Sequence, residues 1–432
     1  MQLLKHLVGF LSLKSDFSKN TIRLVSGTTI AQAISLLTAP ILARIYSPKD
    51  YGLLGLYMVV STLAGTLSTF QYNNAIIIAE DEEEAKNVLK LSMIINVGIS
   101  FLSTLVIMFT SGEICKFYNA PDLRKWLFFI PVSIFFAGVN LIMSSWGIRK
   151  KEFRVIAGNR VYISLLSPLL SISIGYFVAG PLGLFVGFLI GQLVPTLRMV
   201  YLFYYKYELD FAINLANLKK VSKKFRNFPK YSLPADFINN FSNQMPVMIL
   251  SVIGGTGVVG WYGMAVRMMV LPSTLIANSI GEVFRQRAAK DYLTEGSCRP
   301  IFLKVFKILL VVSILPFTLL IYFGPELFSF LFGAKWIGAG EIVSIVGVLY
   351  LFKFVVSPLS YVTYIAQKQS FGLLLDIVLF LVVVAIYVVG AGYGLDYKSV
   401  LLIYALSYSS LYLVTLYFSY KFSVNEKFLI KD

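Results

Sequence analysis

Five cations stand inside long apolar runs of this sequence: Arg44, Arg198, Arg267, Lys307 and Lys353. A cation in a low-dielectric surround is costly unless an anion or a polar cavity faces it. Arg267 and Lys353 lie near the middle of their runs, where a long side chain cannot reach a polar boundary. They are read as cavity-lining groups able to form charge-assisted hydrogen bonds with an anion. Arg44, Arg198 and Lys307 lie near run ends, where snorkelling explains them as well as function does. A second polar set is Asp236, Asn239, Asn240, Asn243 and Gln244, on one broad face of a helix that Pro234 and Pro246 allow to bend. A third is the stripe Arg267, Leu271, Thr274, Asn278 and Glu282 at helical spacing. Asn240, Asn243 and Asn278 suit hydroxyl-rich ligands, and they suit interhelical hydrogen bonds equally well. Asp236 and Asp376 are the acids well inside apolar runs. Either can titrate in proton or sodium coupling, or neutralise a nearby Lys or Arg.

These groups need elements to hold them. The chain has 432 residues, 57% hydrophobic and 14% charged. Soluble domains carry about 25% charged residues. So few charges cannot cover a water-facing surface, and the chain is read as an all-α integral membrane protein. A span needs about 20 apolar residues. About twelve transmembrane helices fit, near 21–45, 51–79, 88–110, 125–147, 155–179, 182–204, 231–254, 258–280, 301–323, 341–366, 371–390 and 400–420. The runs are too long, and lack the alternation, for an outer-membrane barrel.

The net charge is +16, from 38 Lys and Arg against 22 Asp and Glu. In a soluble protein that balance suggests nucleic acid. Here the positive-inside rule accounts for most of it: with the N-terminus inside, 25 cations fall on the cytoplasmic side and 6 outside. No nucleic-acid partner is expected, and both termini are placed in the cytoplasm. Residues 1–20 read as an amphipathic interfacial segment. The acidic run Glu80-Asp81-Glu82-Glu83-Glu84 reads as a solvated helix start. Two cysteines, Cys115 and Cys298, and one histidine, His6, are too few for zinc clusters or histidine acid–base sites. No phosphate-binding loop of the G-x-x-x-x-G-K-[ST] type is present, which argues against ATP-driven transport by this chain alone. No cofactor is expected beyond a coupling proton or sodium ion.

The organisation is read as 21–204, an N-lobe of helices 1–6, then a basic cytoplasmic linker at 205–230. A C-lobe of helices 7–12 follows at 231–420, and a tail at 421–432. A shift of 208 residues lays Tyr51-Gly52 on Val259-Gly260. Two like six-helix lobes imply parallel repeats around a central cavity.

Three stretches carry a resemblance. Pro40-Ile-Leu-Ala-Arg44-Ile-Tyr-Ser-Pro48-Lys-Asp-Tyr51-Gly52-Leu is the first. Phe228-Pro229-Lys-Tyr-Ser-Leu-Pro234 is the second. The third is Val259-Gly260-Trp-Tyr-Gly-Met-Ala265-Val-Arg267, followed by Leu271-Pro272 and Val283-Phe284. Together they resemble the bacterial polysaccharide flippases of the Wzx type, in the MATE-like (MOP) exporter superfamily. The resemblance implies a transporter in the bacterial inner membrane, not an enzyme. It implies a cargo of oligosaccharide units linked to undecaprenyl pyrophosphate, moved for lipopolysaccharide O-antigen or other surface polysaccharide synthesis. It also implies polysaccharide assembly proteins as partners. Arg44 and Arg267 sit within the matching motifs; Arg198 and Lys353 rest on the residue reading alone. A multidrug or small-molecule antiporter shares the architecture, but the first span lacks the acidic residue of many cation-coupled drug exporters. A membrane oligosaccharide polymerase or glycosyltransferase is a further alternative, set back by the shortness of the outer segments.

Overall fold

A computed structural model of the chain describes residues 16–209 and 212–424. Side chains are described from residue 26 onward, except at 210, 211, 369, 370, 373, 376, 387, 391 and 425–432. The interfacial segment expected at 1–20, apart from the backbone of 16–20, therefore lies outside the described residues, as does residue 425 onward.

The described residues are helical almost throughout, because a chain in hydrocarbon must satisfy its backbone polar groups within each segment. The helices are α1 (Asp16–Ile45), α2 (Pro48–Thr66), α3 (Tyr72–Ile78), α4 (Glu82–Phe117), α5 (Ile130–Arg149), α6 (Phe153–Phe177) and α7 (Leu182–Tyr207). They continue as α8 (Leu215–Lys224), α9 (Leu233–Pro272), α10 (Asn278–Glu295), α11 (Arg299–Tyr322), α12 (Gly324–Phe332), α13 (Ile337–Leu359), α14 (Gln369–Gly392) and α15 (Tyr397–Phe422). Among the described residues, nine helical runs are long and apolar enough to cross a bilayer. One of them, Phe228–Glu295, holds the expected seventh and eighth spans. The second and eleventh expected spans coincide with α2 plus α3 and with α14. The helices are thus compatible with twelve spans.

Three local features depart from the sequence expectations. The expected second span is two helices: α2 ends at Thr66, and the chain turns through Phe70 (φ 48°) and Gln71 (φ 63°) before α3. The third expected span begins six residues early, so that α4 has 36 residues, about 54 Å at 1.5 Å per residue. Asp81 caps it, its side chain accepting from the Glu84 N–H at 2.7 Å, and three glutamates sit at its positive end. Finally, the interruption in α9 falls at Gly255 (φ 72°, ψ −177°) rather than at Pro234 or Pro246. Only glycine adopts that backbone conformation without strain. Two π-helical turns, Phe228–Ser232 and Ser273–Ala277, flank α9 beside prolines 229 and 272, where a missing N–H disfavours the regular ladder.

The chain packs as two compact units. The first takes in α1 as far as Tyr46 and Leu53–Gln244; the second takes in Ser47–Gly52 and the chain from Met245 onward. In the first unit, Trp146, Phe203, Met199, Ile142 and Val88 are buried in one apolar cluster. Trp126 stacks on Phe185 at 3.9 Å. The Tyr46 hydroxyl donates to the Ser171 carbonyl at 2.6 Å, tying α1 to α6. The basic linker is fastened to this unit as well. Asn214 caps α8, the Lys90 ammonium donates to the Ala212 carbonyl, and Lys224 pairs with Glu84 at 2.5 Å and Glu80 at 2.9 Å.

Arg149 closes the same region. Its guanidinium donates to the carbonyls of Ile76 (3.1 Å), Ala79 (2.7 Å) and Asp81 (2.8 Å). One planar fork thereby satisfies the carbonyl end of α3 and the turn into α4. Arg149→Lys keeps the charge but not the fork. It is expected to cost on the order of 2 kcal/mol, since hydrogen bonds to charged groups contribute about 1.5–3 kcal/mol each. The midpoint of thermal unfolding in detergent measures this, and an unchanged midpoint would mean that water serves those carbonyls equally well.

In the second unit, α13 is central: Val343, Val346, Phe354 and Val356 are buried, and Phe354 meets Phe317 of α11 at 5.7 Å. Trp336 is fully buried, with Tyr51 set edge-on to it at 5.2 Å. The Trp261 indole donates to the Lys335 carbonyl at 2.9 Å. Cys115 and Cys298 are both free and buried.

Candidate functional site

The expected site residues divide between the two units. Arg44, Arg198, Asp236, Asn240 and Asn243 belong to the first, and Arg267, Asn278, Lys353 and Asp376 to the second. Each unit is described in turn.

In the second unit, Lys353 projects from α13 beside an aromatic group. Its ammonium lies 5.5 Å from the centroid of the Tyr350 ring, one turn earlier on the same helix. Tyr350 is buried, and its hydroxyl meets that of buried Tyr262 from α9, which also meets Tyr404 from α15. Three helices thus bring three phenols together, one of them beside an ammonium. Lys353 is half-buried and has no carboxylate partner among the described residues. An ammonium held over the face of a tyrosine keeps part of its stabilisation through the ring quadrupole. Its remaining donors are free for an anion, and the phenols can both donate to and accept from hydroxyl groups.

Arg267, on α9, is half-buried; Asn278 begins α10 and is exposed. The expected stripe from Arg267 to Glu282 is not one continuous helix face. The π-helical turn at Ser273–Ala277 widens the ladder between Leu271 and Asn278, and the Thr274 hydroxyl is used on the Leu271 carbonyl at 2.9 Å. Asp376 lies on α14, but its side chain is outside the described residues.

In the first unit, Asn240 donates to the Thr66 hydroxyl at 3.0 Å, joining α9 to the end of α2. Asn243 donates to the Asn239 carbonyl one turn back at 2.9 Å. These contacts fit the packing alternative for both residues. Asp236 is exposed in the first turn of α9, and Arg44 is exposed in the last turn of α1. Each charge suits the local helix-end field. Arg198, on α7, lays its guanidinium on the Tyr162 ring of α6 at 4.5 Å. The two residues line a cleft of about 520 Å³, whose rim also carries Arg154.

The acidic run is not merely solvated. Glu82 pairs with Lys150 at 2.5 Å, and Glu80 and Glu84 pair with Lys224. Exposed pairs of this kind contribute little each, about 0–1 kcal/mol. They do pin the two basic segments to one helix start. No sequence signal selects Tyr262, Tyr350 and Tyr404 from 26 tyrosines, because they come from three separate helices. Arg154 reads from sequence as one more topological cation.

Residues 41–341 match the model of a family described as polysaccharide biosynthesis protein. The chain is 24% identical over 335 residues to the lipopolysaccharide biosynthesis protein WzxC of Escherichia coli (strain K12), covering 77% of this chain; the chain spans 66% of the length of that relative. Among solved structures, the lipid II flippase MurJ in an inward closed conformation is similar at TM-score 0.73 and 15% identity, covering 93% of this chain and 87% of that one. An inward-facing multidrug resistance MATE family transporter of the MOP superfamily is similar at TM-score 0.66 and 17% identity, covering 90% and 93%. At such identities the likeness is one of fold: an all-α, MATE-like membrane protein.

Proposed function

This chain belongs to the polysaccharide biosynthesis protein family, and from that premise we propose that it is a flippase for lipid-linked oligosaccharide units. The cargo is an oligosaccharide on undecaprenyl pyrophosphate, carried from the cytoplasmic to the outer leaflet of the bacterial inner membrane by alternating access. The observation that carries this reading is Lys353, half-buried without a carboxylate partner among the described residues and set over the ring of Tyr350, which groups with Tyr262 and Tyr404.

The physics suits the task. A diphosphate cannot enter hydrocarbon unpaired. Lys353 and Arg267 replace its water with charge-assisted hydrogen bonds, and the phenols and Asn278 answer sugar hydroxyls. In the first unit, Arg44, Arg198, Asn240 and Asn243 offer the cargo a polar set of their own. A few dispersed cations also allow release, since a site that binds too tightly does not turn over. Both termini are cytoplasmic, and Asp236 or Asp376 couples transport to protons or sodium. Polysaccharide assembly proteins act on the product.

The purified full chain in proteoliposomes tests this reading. A fluorescent sugar on a polyprenyl diphosphate should become accessible to a membrane-impermeant quencher faster than in protein-free vesicles, and faster still under an imposed proton or sodium gradient. Asp236→Asn should remove one of those gradient responses if Asp236 is the coupling group. Unchanged accessibility, together with resistance to cationic drugs on expression, would replace the proposal with a drug antiporter.

A further inference from the structure

The cleft on the first unit gathers Arg198 with groups, Arg154 and Tyr162 among them, to which the transport reading gives no role. It is bounded by Gly27 and Ile30 of α1, by Arg154, Gly158 and Tyr162 of α6, and by Arg198 of α7. It exists because side chains are missing where the helices meet. A Cβ at Gly27 would lie 2.6 Å from that of Ala157, so α1 and α6 touch backbone to backbone there. At Gly158 a Cβ would meet nothing within 4 Å, so the space above that contact is open.

Two guanidiniums face this space. Arg198 is held over the Tyr162 ring, which limits the orientations open to its fork. Neither Arg154 nor Arg198 forms an ion pair with the described residues. The nearest acid in the chain, Glu152, is taken by Lys206 and by the Tyr207 hydroxyl. Two cations beside a mostly apolar lining call for an anion from outside, and the guanidinium fork matches phosphate. The cleft also opens onto a lipid-type surface. Ile30 and Leu37 lie along one face of α1, and Tyr162, Leu165 and Leu169 along one face of α6, all of them exposed.

We propose that this cleft is a lipid headgroup site: Arg154 and Arg198 hold a lipid-borne phosphate or diphosphate, and the lipid chain lies along the apolar faces of α1 and α6. The site does not depend on which cargo the protein moves. Its ligand has two sources, an isoprenoid diphosphate or a diacyl phospholipid, and the test separates them.

The test uses the purified full chain in a non-ionic detergent and follows the thermal midpoint against added probe, since a ligand of the folded state raises it. The probes are geranylgeranyl diphosphate, dioleoylphosphatidylglycerol and inorganic diphosphate. At least one of the two lipids should raise the midpoint, and the one that does identifies the source. The double variant R154Q/R198Q should weaken that effect at least tenfold. Gly158→Leu should weaken it as much by filling the cleft, and its probe-free midpoint should not fall, because the added Cβ meets nothing within 4 Å and the rest of the side chain points into open space. K219Q/K220Q, an equal charge change at exposed positions on α8, should leave it intact. The proposal is overturned if neither lipid acts, or if inorganic diphosphate acts as strongly as the lipids. Full binding by Gly158→Leu, or an equal loss in K219Q/K220Q, overturns it as well.

Discussion

Alanine at Gly52 is expected to unseat the start of α2 from α9 and to be the most damaging single-methyl change in the chain. A Cβ built at Gly52 would lie 1.7 Å from the Thr256 carbonyl oxygen. Across the same crossing, a Cβ at Gly260 would lie 1.9 Å from the Pro48 carbonyl oxygen. Both obstacles are backbone atoms, so no side-chain rotation relieves them and the helices must separate. Overpacking of this kind costs about 1–3 kcal/mol, occasionally more, and here it also loses the close contacts made by bare glycine backbones. Gly52→Ala and Gly260→Ala should each lower the thermal midpoint in detergent, and Gly52→Leu should not accumulate as a monodisperse protein. Gly65→Ala, near the end of the same helix, is the control. Its Cβ meets nothing within 4 Å, and exchanging glycine for alanine in an exposed helix gains up to about 1 kcal/mol. Equal behaviour of Gly52→Ala and Gly65→Ala would refute this account of the crossing.

Loss of surface polysaccharide is the expected result of replacing Arg267 and Lys353 together. In cells that depend on this protein, R267A/K353A should bring surface polysaccharide to background while the protein remains at near-normal level. Each single change should lower output about 10- to 100-fold, the equivalent of one charge-assisted hydrogen bond of about 1.5–3 kcal/mol. Lys353→Met separates function from structure. Methionine keeps the apolar stem but removes a partly desolvated cation that has no carboxylate among the described residues. Removing such a charge relieves a desolvation cost, so the thermal midpoint should hold or rise while transport falls. A normally expressed double variant with full polysaccharide output would remove both residues from the cargo path.

Much of this follows from local composition. The apolar runs mark the helices because hydrocarbon admits only segments that satisfy their own backbone. The helix start at the acidic run is legible too, since Asp81 and the glutamates after it favour a positive helix end. The break in α9 was less so. Two prolines and three nearby glycines all permit a bend, and which one bends is settled by packing, at Gly255. Polar residues in spans divide in the same way. Their presence is visible in the sequence, but Asn240 meeting Thr66 and Asn243 turning back to Asn239 depend on where neighbouring helices lie.

The sequence alone determined that this protein lives in a membrane, how its helices are spaced, and which few cations stand inside apolar runs. Those are properties of single segments, set by transfer free energy and backbone hydrogen bonding. The tertiary structure decided which groups lie together: Lys353 with Tyr350, and through it Tyr262 and Tyr404 from two other helices, Arg154 with Arg198 around a cleft, and Gly52 against Gly260. A shift of 208 residues aligns the sequences around those two glycines, yet only the folded chain shows that they meet. Contacts between helices far apart in the chain depend on side-chain shape and on how closely backbones approach, and no single segment carries that information.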